Sequence, residues 1–150
     1  MAQTVTVTGV DDAVVDGSVL YHIVTAAAAS SDTNYNGLNP ADVSVTNTDN
    51  DVAGFTVTPT SGLTTTEAGG TATFTVVLTS QPTANVSMGL SSDNPAEGKV
   101  GPASVTFTAG NWNVAQTVTV TGVCESVVEG SVPYHTRTGA GACRHPNTTG

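Results

Sequence analysis

The chain has 150 residues, enough for one sandwich-sized domain or one domain plus part of a neighbour. Twelve acidic residues against three Lys and Arg give a net charge of −9, which excludes nucleic acid or an anionic membrane as the default partner, because both need a basic patch. Thr (27) and Val (23) make up a third of the residues, the composition of strands with one wet face, and no apolar run approaches the ~20 residues that span a bilayer.

Ala2 to Val10 alternates Thr and Val and reads as a strand ending at Val10. It follows Met1 with no basic start and no apolar stretch, so no secretory signal is read here. The expectation is a cytosolic chain or a fragment of a longer protein. Asp11, Asp12 and Asp16 come next. The only alanine run, Ala26 to Ala29, sits where a strand passes into a loop. Ala41 to Thr46 reads as the last strand of a unit, and the polar stretch from Thr46 to Asp51 as its boundary.

Beyond that boundary the strands are short and separated by turn formers. Phe55 to Thr58 stops at Pro59, and Gly62 to Gly70 is turn-rich. Thr71 to Thr79 places Phe74, Val76 and Leu78 on one face, and Ala84 to Leu90 does the same with Val86, Met88 and Leu90. Ala103 to Thr108 presents Val105 and Phe107, and Ala115 to Thr121 presents Val118 and Val120 opposite three Thr. Ser131 to Thr138 is the sixth strand. Period-two alternation with frequent turn signals and no 3.6-residue period predicts an all-β antiparallel sandwich.

The chain repeats itself. Ala2 to Val10 recurs without change at Ala115 to Val123, an offset of 113 residues, and 21 of the 36 pairs from 2/115 to 37/150 are identical. A period of 113 residues is too long for a solenoid turn and matches a whole sandwich domain plus linker. Residues 1–51 are then the C-terminal part of one unit, its last three strands and acidic linker. Residues 52–150 are the following unit without its last strand. A missing strand that buries three Val-sized side chains removes about 5–9 kcal/mol, comparable with the ~5–15 kcal/mol that holds a domain together. Residues 41–48 can fill that gap from the same chain or from a neighbouring one. The second route makes a homo-oligomer or filament.

The charge is uneven. Residues 1–51 hold seven acids and no Lys or Arg, whereas the remaining 99 hold five acids and three bases. Asp11, Asp12 and Asp16 after one strand and Asp49 and Asp51 after the last are brought to one end if those strands are neighbours. Carboxylates gathered in loops repel one another and suit Ca²⁺, a hard cation of flexible geometry. The competing reading is of ordinary solvated turn acids.

Ser104 to Thr108, Asn111-Trp112-Asn113 and Gln116 to Val123 together resemble the middle of Calx-beta modules and related bacterial repeat domains. Val10 to Gly17 and the unit end Thr48-Asp49-Asn50-Asp51 resemble them too. The resemblance implies a seven-stranded immunoglobulin-like sandwich with calcium at one tip. It makes Asp11, Asp12, Asp16, Asp49 and Asp51 ligand candidates in the first unit and matches the family's early acid to Glu67. The second copy departs from the pattern. Cys124 replaces the counterpart of Asp11, a thiol being a poor calcium ligand, while Glu125 and Glu129 keep two acids. Pro133 stands where Leu20 stood.

Catalytic chemistry is not indicated. His22 and His135 are best read as strand residues facing solvent, and no zinc, phosphate-loop or paired-Cys motif is present. Cys124 and Cys143 form a bridge or remain free thiols; the sequence leaves both open. The expected function is a non-enzymatic structural or adhesive repeat module of an extracellular or cell-surface protein, stiffened by calcium. The first alternative is a self-assembling subunit completed by strands from neighbouring copies. The second is a carbohydrate-binding module centred on Trp112, against which stands the commoner role of a packed turn tryptophan.

Overall fold

The computed structural model describes residues 1–124. The expected strand 131–138, and with it Glu125, Glu129, Pro133, His135 and Cys143, lie outside the described residues. The described residues contain eight strands and no helix, and all pairings are antiparallel. The chain divides into two compact units, Met1–Val52 and Ala53–Gly150.

The first unit holds a single hairpin of β1 (Val19–Ile23) and β2 (Val43–Asn47). Val19 pairs with Asn47 and Ile23 with Val43, so the entry to β1 and the exit from β2 share one end of the hairpin. The connection from 24 to 42 is held at the other end. The Asp42 carboxylate accepts the Thr25 amide at 2.8 Å, and the Asp32 carboxylate accepts the Asn34 amide at 2.9 Å, a local turn of the kind Asp favours. No residue from 1 to 52 is buried. Val19, Leu20, Val24 and Val43 are all exposed.

The expected strand from Ala2 to Val10 does not form. These residues are unpaired and exposed, and one bond, from Asn47 Nδ2 to the Val10 carbonyl at 2.9 Å, ties their end to the hairpin. The first unit therefore has two strands rather than three. The reason is a missing template. The second copy lies between two strands of the second unit, whereas no strand of the first unit offers residues 2–10 an edge.

The second unit contains β3 (Phe55–Thr58), β4 (Thr71–Leu78), β5 (Val86–Gly89), β6 (Gly98–Gly101), β7 (Ser104–Phe107) and β8 (Gln116–Gly122). One sheet runs β3-β4-β8-β6 and another pairs β5 with β7. The buried core draws on both: Val76, Leu78 and Val118 come from the first sheet, Val105 and Phe107 from the second. Phe74, Val86, Met88, Leu90, Val100 and Trp112 pack around them. This is a sandwich-like all-β arrangement, built on the alternation read from the sequence. The outer face is polar, with Ser87 and Thr106 hydroxyls hydrogen-bonded across β5 and β7 at 2.9 Å.

Strand β6 was not expected. Gly98-Lys99-Val100-Gly101 carries one apolar residue between two glycines, and glycine is depleted in strands. It forms because β8 offers a second edge: Val100 pairs with Val120 and Gly101 with Thr119.

Candidate metal centre

The hairpin register of the first unit gathers the acids. Asp16 and Gly17 lie just before β1, and Asp49 to Asp51 just after β2, so both segments reach the same end of the hairpin. The segment from Gly9 to Asp12 joins them there. Asp11, Asp12, Asp16, Asp49 and Asp51 all line one open, polar hollow of about 240 Å³, together with Asn47, Asn50 and Gly17. The other two acids of the unit, Asp32 and Asp42, belong to the connection and do not line it.

Asp49 organises this end. Its Oδ2 accepts the Asp16 amide at 3.0 Å and the Gly17 amide at 2.7 Å, and its Oδ1 accepts the Asp51 amide at 2.8 Å. One carboxylate thus pins the loop before β1 to the segment after β2. Gly17 has φ of +78°, a conformation that favours glycine, and this turns its amide toward Asp49. The amides of Asp51 and Gly17, and then that of Asp16, hold the Asp49 carboxyl below its ordinary value against an opposing effect of burial. Asp12 makes a local turn, its Oδ1 accepting the Val14 amide at 2.9 Å.

Asp51 behaves in the opposite sense. Partial burial pushes its carboxyl up, and repulsion from Asp49, Asp11, Asp12 and Asp16 adds to this. No Lys or Arg occurs in residues 1–51 to relieve it. The cluster is therefore electrostatically frustrated at one member while its neighbour is satisfied by the main chain. Among the described residues, no three or more His, Cys, Asp or Glu are drawn together closely enough to hold a metal ion as they stand. The carboxylates share a hollow without forming a ready cage.

The remaining candidates fall elsewhere. Glu67 belongs to the second unit, in the turn closed by the Thr66–Gly70 bridge before β4. Glu125 and Glu129 lie outside the described residues. His22 is exposed on β1. Cys124 is disulfide-bonded. Trp112 is half-buried and packs against the core, its carbonyl accepting the Leu78 amide at 3.1 Å. Asn111 shapes that loop by accepting the Thr108 amide at 2.6 Å. The sequence reading missed the role of Asn47, which closes the hollow at Val10, and that of Asp49 as a staple for three amides. A unit-end Asp with a Gly across the hairpin was the available signal. Among the described residues, no helix is long and apolar enough to cross a membrane.

Compared with protein-family models, curated proteins and solved structures, the chain matches none.

Proposed function

We propose that the chain is a non-enzymatic structural or adhesive repeat module of an extracellular or cell-surface protein. Its fold would be an immunoglobulin-like sandwich of the Calx-beta type, and Ca²⁺ would stiffen the acidic end of the first unit. The observation that carries this reading is the convergence of five aspartates on one hollow in a unit without Lys or Arg. A divalent cation supplies the missing positive charge and relieves the carboxylate repulsion that adds to burial in raising Asp51. Asp11, Asp12, Asp16 and Asp51 would move inward to bind it. Asp49 would stay on its three amides and keep the two loops in register. The repeat supports the modular part of the reading, since 21 of 36 aligned positions are identical between two successive units.

Calcium titration tests the site. Ligand that binds only the folded tip adds about 2.7 kcal/mol at a hundredfold excess over Kd. Millimolar Ca²⁺ should slow hydrogen exchange at the Gly17 and Asp51 amides, and chelator should restore it. Asp51→Asn with Asp11→Asn should abolish the response. Unchanged exchange at millimolar Ca²⁺ would remove the metal from this account. The carbohydrate reading draws less support, because packing against the core covers part of the Trp112 ring.

A further inference from the structure

The second unit shows what sequence the slot between β4 and β6 accepts. Its occupant, β8, pairs on both sides: Thr119 stands between Thr73 and Gly101, and Val120 between Ala72 and Val100. Two positions are demanding. Val118 is fully buried in the core. At Gly122 a Cβ would run into the Thr66 backbone, so only glycine fits there without a shift. A strand that enters this slot must offer a valine and, four residues on, a glycine.

Residues 2–10 meet that requirement at every position, because they have the sequence of residues 115–123. Val5 corresponds to Val118 and Gly9 to Gly122. Yet this segment forms no ladder where it lies, with Val5 80% and Val10 79% exposed. The chain therefore carries a perfectly matched strand with no sheet.

We propose that the segment 2–10 of one copy takes the place of β8 in the second unit of another copy, so that the partner this surface fits is the chain itself. The proposal goes beyond the repeat-module reading and does not depend on calcium. Thr6 of the donor would pair with Thr73 and Gly101 of the recipient, Val5 would enter the recipient's core, and the donor's β1–β2 hairpin would follow the inserted strand. Donor and acceptor are different surfaces, so reciprocal exchange closes a dimer and sequential exchange gives an open chain. The strand pairings gained and lost are identical in sequence. The tether therefore decides: β8 has an effective concentration in roughly the millimolar range. Exchange is populated when β8 is out of its slot and copies are present at that concentration.

The test is refolding from denaturant, in chelator and without reductant, at about 1 mM and at high dilution, followed by sedimentation. Concentrated refolding should give dimers and larger species that persist after dilution, and dilute refolding should give monomer. Thr6→Pro removes an amide from the donor strand and leaves the second unit untouched; it should lower the assembled fraction at least ~10-fold, since proline is excluded from a central strand. Thr119→Pro blocks the chain's own β8, so this variant should fold only at high concentration, and Thr6→Pro/Thr119→Pro should not fold at all. Monomer alone after concentrated refolding of the unaltered chain would overturn the proposal. So would assembly undiminished in Thr6→Pro, or Thr119→Pro remaining unfolded at concentrations where the unaltered chain assembles.

Discussion

Residues 2–10 and 115–123 share one sequence, but they do not share a structure. The second is a central strand with neighbours on both sides and a fully buried Val118. The first is exposed and without a ladder. Alternation of Thr and Val makes a segment fit a pleated, half-buried surface, and strand propensity is no more than that fit. What turns it into a strand is a pair of edges to bind. The second unit supplies β4 and β6; the first supplies a single asparagine side chain.

The comparison can be strained most at its glycines. Gly122→Ala places a Cβ against the Thr66 backbone, which cannot swing aside, and should cost roughly 3 kcal/mol in urea unfolding of the second unit, the top of the range for overpacking. Gly9→Ala meets only Asn47 Oδ1, at 2.6 Å, and a side chain can rotate. It should leave that transition unmoved and instead break the Asn47 bond to Val10, visible as faster exchange near the hollow.

The buried valine gives the next largest contrast. Val118→Ala removes two methyl groups from the core and should cost about 2 kcal/mol, from the lost burial and the cavity left behind. Val5→Ala, the same change in the same nine residues, should stay within ~0.5 kcal/mol in dilute solution, as exposed positions do. Equal effects at both sites would mean that the two segments are equally buried.

The acidic end gives smaller effects. Asp49 has a depressed carboxyl, so its contribution is present above the unfolded value of about 3.9 and is lost as pH falls through the folded one. Asp51 has a raised carboxyl, so the advantage of its protonated form is present below the unfolded value and lost as pH rises through the folded one. At pH 7 in chelator, Asp49→Asn should speed exchange at the Gly17 amide and Asp51→Asn should slow it. Both differences should fade in acid. The counterpart of this end in the second copy carries Cys124 in place of Asp11.

Much of the sandwich was legible because its strands obey a period of two and their inward residues are large. Phe74, Val76 and Leu78, then Val105 and Phe107, are where the alternation put them. Strand β6 was not legible, since Gly98 and Gly101 carry no pattern and the strand exists only by recruitment to β8. Residues 2–10 failed for the reverse reason: the local pattern was sound, but neither β1 nor β2 pairs with them. At the acidic end, the gathering of Asp11, Asp12, Asp16, Asp49 and Asp51 followed from the idea that neighbouring strands share an end. That Asp49 spends both oxygens on main-chain amides did not, because backbone geometry such as that of Gly17 is invisible to spacing.

The only lysine in the sequence, Lys99, is exposed on β6, a four-residue strand at the rim of the larger sheet. An ammonium group there makes docking of arbitrary extended peptides costly, because a stranger's side chains would have to strip its water. Among the described residues no strand pairs with the outer edge of β6, and Lys99 discourages promiscuous stacking along it. Replacing Lys99 with valine would be expected to trade a discriminating surface for a sticky one.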